Sequence, residues 1–343
     1  MATARTENIQ SIQFLRGIAA FMVLLSHSIL AKNFPDTYHV KEVCVQGHYG
    51  VSVFFIISGF IIPYSMFSKD YRISDIKSFF LKRLLRIEPP YIISIALVLL
   101  LNYSNTLSPW YTGPRFSIDW MNVLGHLGYV NVITHQHWLN DAYWTLAIEF
   151  EYYIVLAFVY PLLTHKNKAV MLTSYFLLLA GSFIPDHGEN IFSHLPLFLA
   201  GIALFLFMCR RVSFYEFLFM TLTSLTVLLR MGPVPVGLAI ATLLCIYFIK
   251  RVPKTFMFLG TISYSLYLTH NVFVTRIWGL LERYVGGVGL WLRWVLSLAL
   301  CVFVAWIYYL LVEKPFLRLS KKLLFVHPSA AANKTLPEEK VVV

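Results

Sequence analysis

An apolar run long enough to cross a bilayer recurs ten times along this chain, at about 12–31, 48–67, 89–104, 143–163, 169–185, 191–209, 213–230, 233–250, 256–276 and 290–312. Within hydrocarbon every backbone N–H and C=O must be satisfied internally, so single runs of this length are helices. With 58% hydrophobic residues against 13% charged and a mean hydropathy of +0.67, the chain lies outside the range of soluble globular domains. The expected fold class is all-α integral membrane, with about ten transmembrane helices.

Basic residues orient such a bundle. With the N-terminus in the cytoplasm, 21 of the 28 Lys and Arg residues fall in inside segments, among them Lys69, Lys82, Arg83, Arg86, Arg210, Arg211 and Lys321. The other seven, Lys32, Lys41, Arg115, Arg230, Arg276, Arg283 and Arg293, fall outside. Both termini are therefore expected to be cytoplasmic. The net charge of +11 then reads as topology and contact with anionic lipid, with no nucleic-acid partner. Residues 1–11 form a cytoplasmic N-terminus, 12–325 the membrane domain, and 326–343 a polar tail expected to be disordered. The first apolar run lacks a small-residue cleavage site and is expected to act as a signal anchor. Of the four cysteines, Cys209, Cys245 and Cys301 fall in predicted spans and Cys44 outside, so neither a disulfide framework nor a metal cluster is expected.

That first run carries two ionisable side chains, Arg16 and His27. Each costs roughly 3 kcal/mol or more to place in the bilayer core, which marks such residues as functional. Eleven positions are close to three helical turns, so the two share a face about 16 Å apart along the axis. Ala20 and Val23 lie between them and leave a shallow track. Two further groups fall at a depth similar to His27: Glu149, six residues in from the outer end of its helix, and His270, in the outer third of its own. A catalytic or proton-handling centre is the reading of that coincidence.

At the cytoplasmic end, Lys82, Arg83 and Arg86 precede Pro89 and Pro90. Arg83 and Arg86 are three apart and point the same way on a helical turn. With Arg16 they can clamp phosphates bidentately, while the proline pair is expected to break regular structure into a shaped loop. Glu149 and Glu151, two apart, face different sides, so one of them turns to the centre. The longest outside segment, 105–142, with Pro109, Trp110, Pro114 and His126, is expected to be a lid or a re-entrant loop.

Six segments run in one order along nearly the whole chain: Leu15-Arg16-Gly17-Ile18-Ala19-Ala20 with His27; the glycine-to-glycine stretch 50–59; Arg83-Leu84-Leu85-Arg86-Ile87; Trp144-Thr145-Leu146 with Glu149; Tyr264-Ser265-Leu266-Tyr267-Leu268 with His270; and Glu313-Lys314-Pro315. In these the chain resembles the membrane-bound acyltransferase family 3, which acylates bacterial surface polysaccharides, lipid-linked sugars and some antibiotics. It departs from the family's pattern at Ser52, where an acidic residue is common, and at Phe150, where a second Glu often follows the first. Some members carry an appended hydrolase-like domain, and the expectation here is transfer completed within the membrane domain.

The resemblance implies an acyl-CoA donor, most often acetyl-CoA, an acceptor hydroxyl on a saccharide or lipid-linked saccharide, no metal, and a multi-pass location in the bacterial cytoplasmic membrane. Arg16, Arg83, Arg86 and Lys82 are then the donor-binding candidates. His27 is the candidate base or acyl acceptor, with Glu149 orienting it and Arg16 assisting. His270, Tyr153, Trp144 and Ser58 are the substrate-binding candidates. Acylation of a small secondary metabolite or lipid is the alternative within enzymes. A proton-coupled transporter, which would use the same intramembrane residue types, is the alternative outside them.

Overall fold

The computed structural model describes residues 10–29, 39–107, 113, 115–185 and 190–322. Most of the predicted N-terminal segment, Lys32, Pro109, Trp110, Pro114 and the tail 326–343 lie outside the described residues. The described chain is helical, without a strand. Seven segments are long and apolar enough to cross a membrane: Gln10–Ile29, His39–Ser68, Ile73–Thr106, Trp144–Leu163, Ile191–Met208, Phe214–Met231 and Leu290–Lys322. Two shorter apolar helices, Lys168–Gly181 and Pro233–Phe248, occupy two more of the predicted spans.

In chain order the helices are α1 (Gln10–Ile29), α2 (His39–Val45), α3 (Gly50–Ser68), α4 (Ile76–Thr106), α5 (Trp120–Gly128), α6 (Trp144–Leu163), α7 (Lys168–Gly181), α8 (Ile191–Met208), α9 (Phe214–Leu228), α10 (Pro233–Phe248), α11 (Lys254–Thr261), α12 (Ser263–Tyr284), α13 (Leu290–Tyr308) and α14 (Lys314–Lys322). Their starts follow local chemistry. Asn167 and Asn190 accept from backbone N–H groups two residues on, and Ser213 with Glu216 forms a capping box at α9. Gly232, at φ +106°, makes the turn that Pro233 then converts into the first residue of α10.

Two sequence expectations are corrected. Pro89 and Pro90 do not break the chain into a loop: α4 runs through both, from Ile76 to Thr106. The pair removes the two N–H donors that would bond the Leu85 and Arg86 carbonyls, and just beyond them the helix is tied to its neighbours by two tyrosines. Tyr264 Oη donates to the Ile87 carbonyl at 2.9 Å, and Tyr308 Oη to the Pro90 carbonyl at 2.5 Å. The ninth predicted span, 256–276, is two helices, with α11 ending at Thr261 and α12 starting at Ser263. The tenth likewise passes through a wide π turn over Tyr309–Glu313 before α14.

Backbones approach most closely at two glycine crossings, as expected where packing rather than hydrophobic burial holds helices together. A Cβ on Gly59 would sit 2.1 Å from the Phe198 carbonyl oxygen of α8, and one on Gly201 2.2 Å from the Ile56 carbonyl of α3. Gly260 of α11 lies against the Gln13 carbonyl of α1, with Gly17 packed on the Gly260 amide, so Arg16 is held where two helices touch. These clashes are with backbone, which cannot swing aside. Gly59→Val is therefore expected to destabilise the bundle by ~3 kcal/mol or more. The check is the thermal unfolding midpoint of the purified protein in detergent, and an unchanged midpoint would show that α3 and α8 need not touch there.

Candidate active site

α1, α3, α4, α6, α11, α12, the π turn and α14 surround a cavity of about 500 Å³. That is within the range of small-molecule sites. Its lining holds six basic side chains, Arg16, Lys69, Lys82, Arg83, Arg86 and Lys321, against two acidic ones, Glu149 and Glu313. Lys82, Arg83 and Arg86 come from consecutive turns of α4, so the proline-containing helix keeps all three on one wall. Among the described residues, no carboxylate lies within ion-pairing distance of Arg16, Arg83 or Arg86. Arg83 rests over the rings of Phe79 and Tyr153, 5.7 and 5.4 Å from their centroids, and Arg16 Nε is buried with no hydrogen-bond partner. Three arginines directed at one cavity, none of them in a direct ion pair, suit an anion.

Glu149 belongs to this cavity. It accepts hydrogen bonds from Tyr153 Oη at 2.6 Å and Ser58 Oγ at 3.0 Å, and interacts electrostatically with Arg16 and Arg83. Glu151, as its spacing predicts, turns away and accepts from the Ile191 amide. Glu313 is buried on the opposite wall, where the Ser265 hydroxyl and amide donate to it at 2.6 and 3.1 Å. Its place in the π turn aims the carboxylate inward.

The histidines form a separate group. His27 and His270 meet edge to face, with ring centroids 4.9 Å apart. The His270 Nδ1–H donates to the Tyr267 carbonyl at 2.8 Å, which leaves Nε2 as a buried acceptor without a partner. His27 hydrogen-bonds with Asn271 and interacts electrostatically with Asp141 and His48. Asn271 Nδ2 in turn donates to Asn140 Oδ1 at 3.2 Å and lies 3.5 Å from Asp141 Oδ2.

Of His27, Glu149 and His270, expected together from sequence, the structure brings together the two histidines and sets Glu149 in the cavity. Depth counted from the helix end misplaces Glu149 because α6 starts inside the bundle. The loop before it folds as α5 and returns inward, pinned by His126: the Leu139 amide donates to Nε2 at 3.0 Å, and Nδ1–H donates to the Asn122 carbonyl at 2.8 Å. Burial lowers the pKa of this imidazole, consistent with its neutral, doubly hydrogen-bonded state. Asn140 then donates to the Leu268 carbonyl of α12, which sets Asp141 beside His27. Glu149 lies eight residues further on, in the second turn of α6.

Other placements differ too. The track over Ala20 and Val23 is closed, since both side chains are buried at 1% and 2% exposure and the cavity touches α1 only at Ile12, Gln13 and Arg16. Trp144 packs against His194 instead of lining the cavity. Ser58, Tyr153 and Lys82 line it. Four residues that the site contains went unassigned from sequence: Asp141, Asn271, Glu313 and Tyr267. The first two carried a visible signal, polar residues immediately beside the Trp144 span and beside His270.

Over residues 9–310 the chain matches the acyltransferase domain of the acyltransferase 3 family. It belongs to that family. No curated protein and no solved structure matches the sequence. Membership in the acyltransferase 3 family makes the chain a membrane acyltransferase, and the helices described above are the scaffold of that activity. In this acyltransferase 3 chain one helix, α1, contributes to both the basic cavity and the histidine pair, through Arg16 and His27.

Proposed function

We propose that the protein transfers a short acyl group, foremost acetyl, from cytoplasmic acyl-CoA to a hydroxyl of a cell-surface or lipid-linked saccharide at the outer side of the bacterial cytoplasmic membrane. The observation that carries this reading is the cavity itself. Arg16, Arg83 and Arg86 line it outside direct ion pairs with Glu149 and Glu313, and it also reaches Thr145 and Tyr267, next to the histidines. A donor that joins a polyanionic head to a reactive carbonyl by a long neutral arm fits that order of groups. The arginines and Lys82 take the phosphates, and the apolar wall of Phe54, Ile57 and Ile61 takes the arm.

His27 then acts as general base on the acceptor hydroxyl. The hydroxyl oxygen bonds to the thioester carbonyl carbon while its proton passes to His27, the C–S bond breaks, and the imidazolium returns the proton to the CoA thiolate. Asp141, with Asn271 between it and the ring, stabilises the imidazolium and fixes its orientation, which favours direct transfer over an acyl-histidine. His270 is a positioning residue that buttresses the His27 ring.

The excess of basic residues at the cavity end supports a cytoplasmic donor mouth, and the exposed Asp141 and His48 beside His27 support an acceptor arriving from outside. Proteoliposomes of known orientation test this. Acetyl-CoA is expected to serve only from the face carrying Lys69 and Lys321, and an impermeant saccharide acceptor only from the other. Efficient transfer with both substrates confined to the basic face would place the acceptor in the same mouth as the donor and overturn the proposal.

A further inference from the structure

Tyr267 touches both the cavity and the histidine pair. Tyr267 lines the cavity, yet its ring centroid is 5.6 Å from that of His270 and it packs against Val23, one turn below His27 on α1. Neither histidine lines the cavity. Thr145 holds the tyrosine in place. The Thr145 hydroxyl donates to the Ala142 carbonyl at 3.1 Å, so at the 2.6 Å contact between the two side chains it is Tyr267 that donates to Thr145 Oγ1. Phe54 abuts the other edge of the ring at 5.6 Å between centroids, and Val51 and Ala142 complete the barrier.

We infer that Tyr267, pinned by Thr145, is the specificity-determining wall of the enzyme, admitting a short acyl group to His27 and excluding long ones. This rests on the acyl-CoA reading above and adds the acyl class to it. An acetyl group ends in a single methyl and needs only a small displacement of the ring. Each further methylene must find room among Phe54, Val23 and Val51, which are already in contact with Tyr267. Because the pinning bond is one hydroxyl to another, both partners are neutral and it reforms once the group has passed.

Two measurements separate the wall from the reaction. In a background with Cys44, Cys209, Cys245 and Cys301 replaced, Val23→Cys places a thiol just past Tyr267. A small anionic methanethiosulfonate applied from the cavity mouth is expected to leave it unlabelled, and to label it readily once Tyr267→Ala or Tyr267→Leu is added. In parallel, the kcat/KM ratio of hexanoyl-CoA to acetyl-CoA is expected to rise by roughly 10- to 200-fold in Tyr267→Ala, the span that pocket size controls, with Tyr267→Phe retaining most of the original preference. Labelling that does not change in either variant overturns the wall. Labelling that rises while the donor ratio stays constant overturns its role in selection. If the labelling pattern holds and neither the parent protein nor any variant uses any acyl-CoA, the wall stands and it is the acyl-CoA reading that fails.

Discussion

Replacing His27 with alanine is expected to lower acyl transfer by about 100-fold to 10,000-fold, the range over which a general base acts. Expression, membrane insertion and donor binding should survive, since His27 is partly exposed and the cavity does not include it. The measurement is acyl incorporation into acceptor by the purified variant beside acetyl-CoA binding by the same preparation. Asp141→Asn provides the graded counterpart, keeping shape while removing the charge that stabilises the imidazolium, and should fall between the parent protein and His27→Ala. Transfer by His27→Ala at close to the parental rate would remove the histidine from the mechanism.

The second large effect concerns donor affinity. A charge-assisted hydrogen bond contributes about 1.5–3 kcal/mol, so removing both forks in Arg83→Ala/Arg86→Ala should weaken acetyl-CoA binding by roughly 100-fold or more. Lysine at the same positions keeps the charge and loses the planar fork, and should recover only part of the affinity. Binding measured calorimetrically with acetyl-CoA, and again with the dephosphorylated pantetheine thioester, separates phosphate recognition from arm packing. The mutations should weaken the first ligand and spare the second. Equal affinities for the parent and double-alanine proteins would return the pair to a purely topological role.

Much of this was legible in the sequence. Apolar run length gave the membrane class, and the three-turn spacing correctly placed Arg16 and His27 on one helix. What stayed hidden is long-range. No local signal shows that the loop before Trp144 dives back into the bundle, and that single fact moves Glu149 to the arginines and sets Asp141 at His27. α4 runs through Pro89 and Pro90 and is tied there to Tyr264 and Tyr308, more than 170 residues away in sequence. α12 is missing from the helices apolar enough to span because it carries Thr269, His270, Asn271, Arg276, Glu282 and Arg283. Two of these polar residues, His270 and Asn271, belong to the site.

Since Arg16 and His27 belong to one unbroken helix, their separation of about 16 Å is set by backbone geometry and cannot adapt to the ligand. Under the proposed mechanism α1 would act as a fixed caliper between the phosphate clamp and the reacting carbonyl. A molecule whose anionic head and reactive carbonyl are adjacent, as in acetyl phosphate, can occupy one end or the other but never both. Inserting one residue between Ala20 and Val23 would lengthen the caliper by only about 1.5 Å but rotate His27 by about 100° away from Arg16, so a change of register in the first helix is expected to abolish transfer.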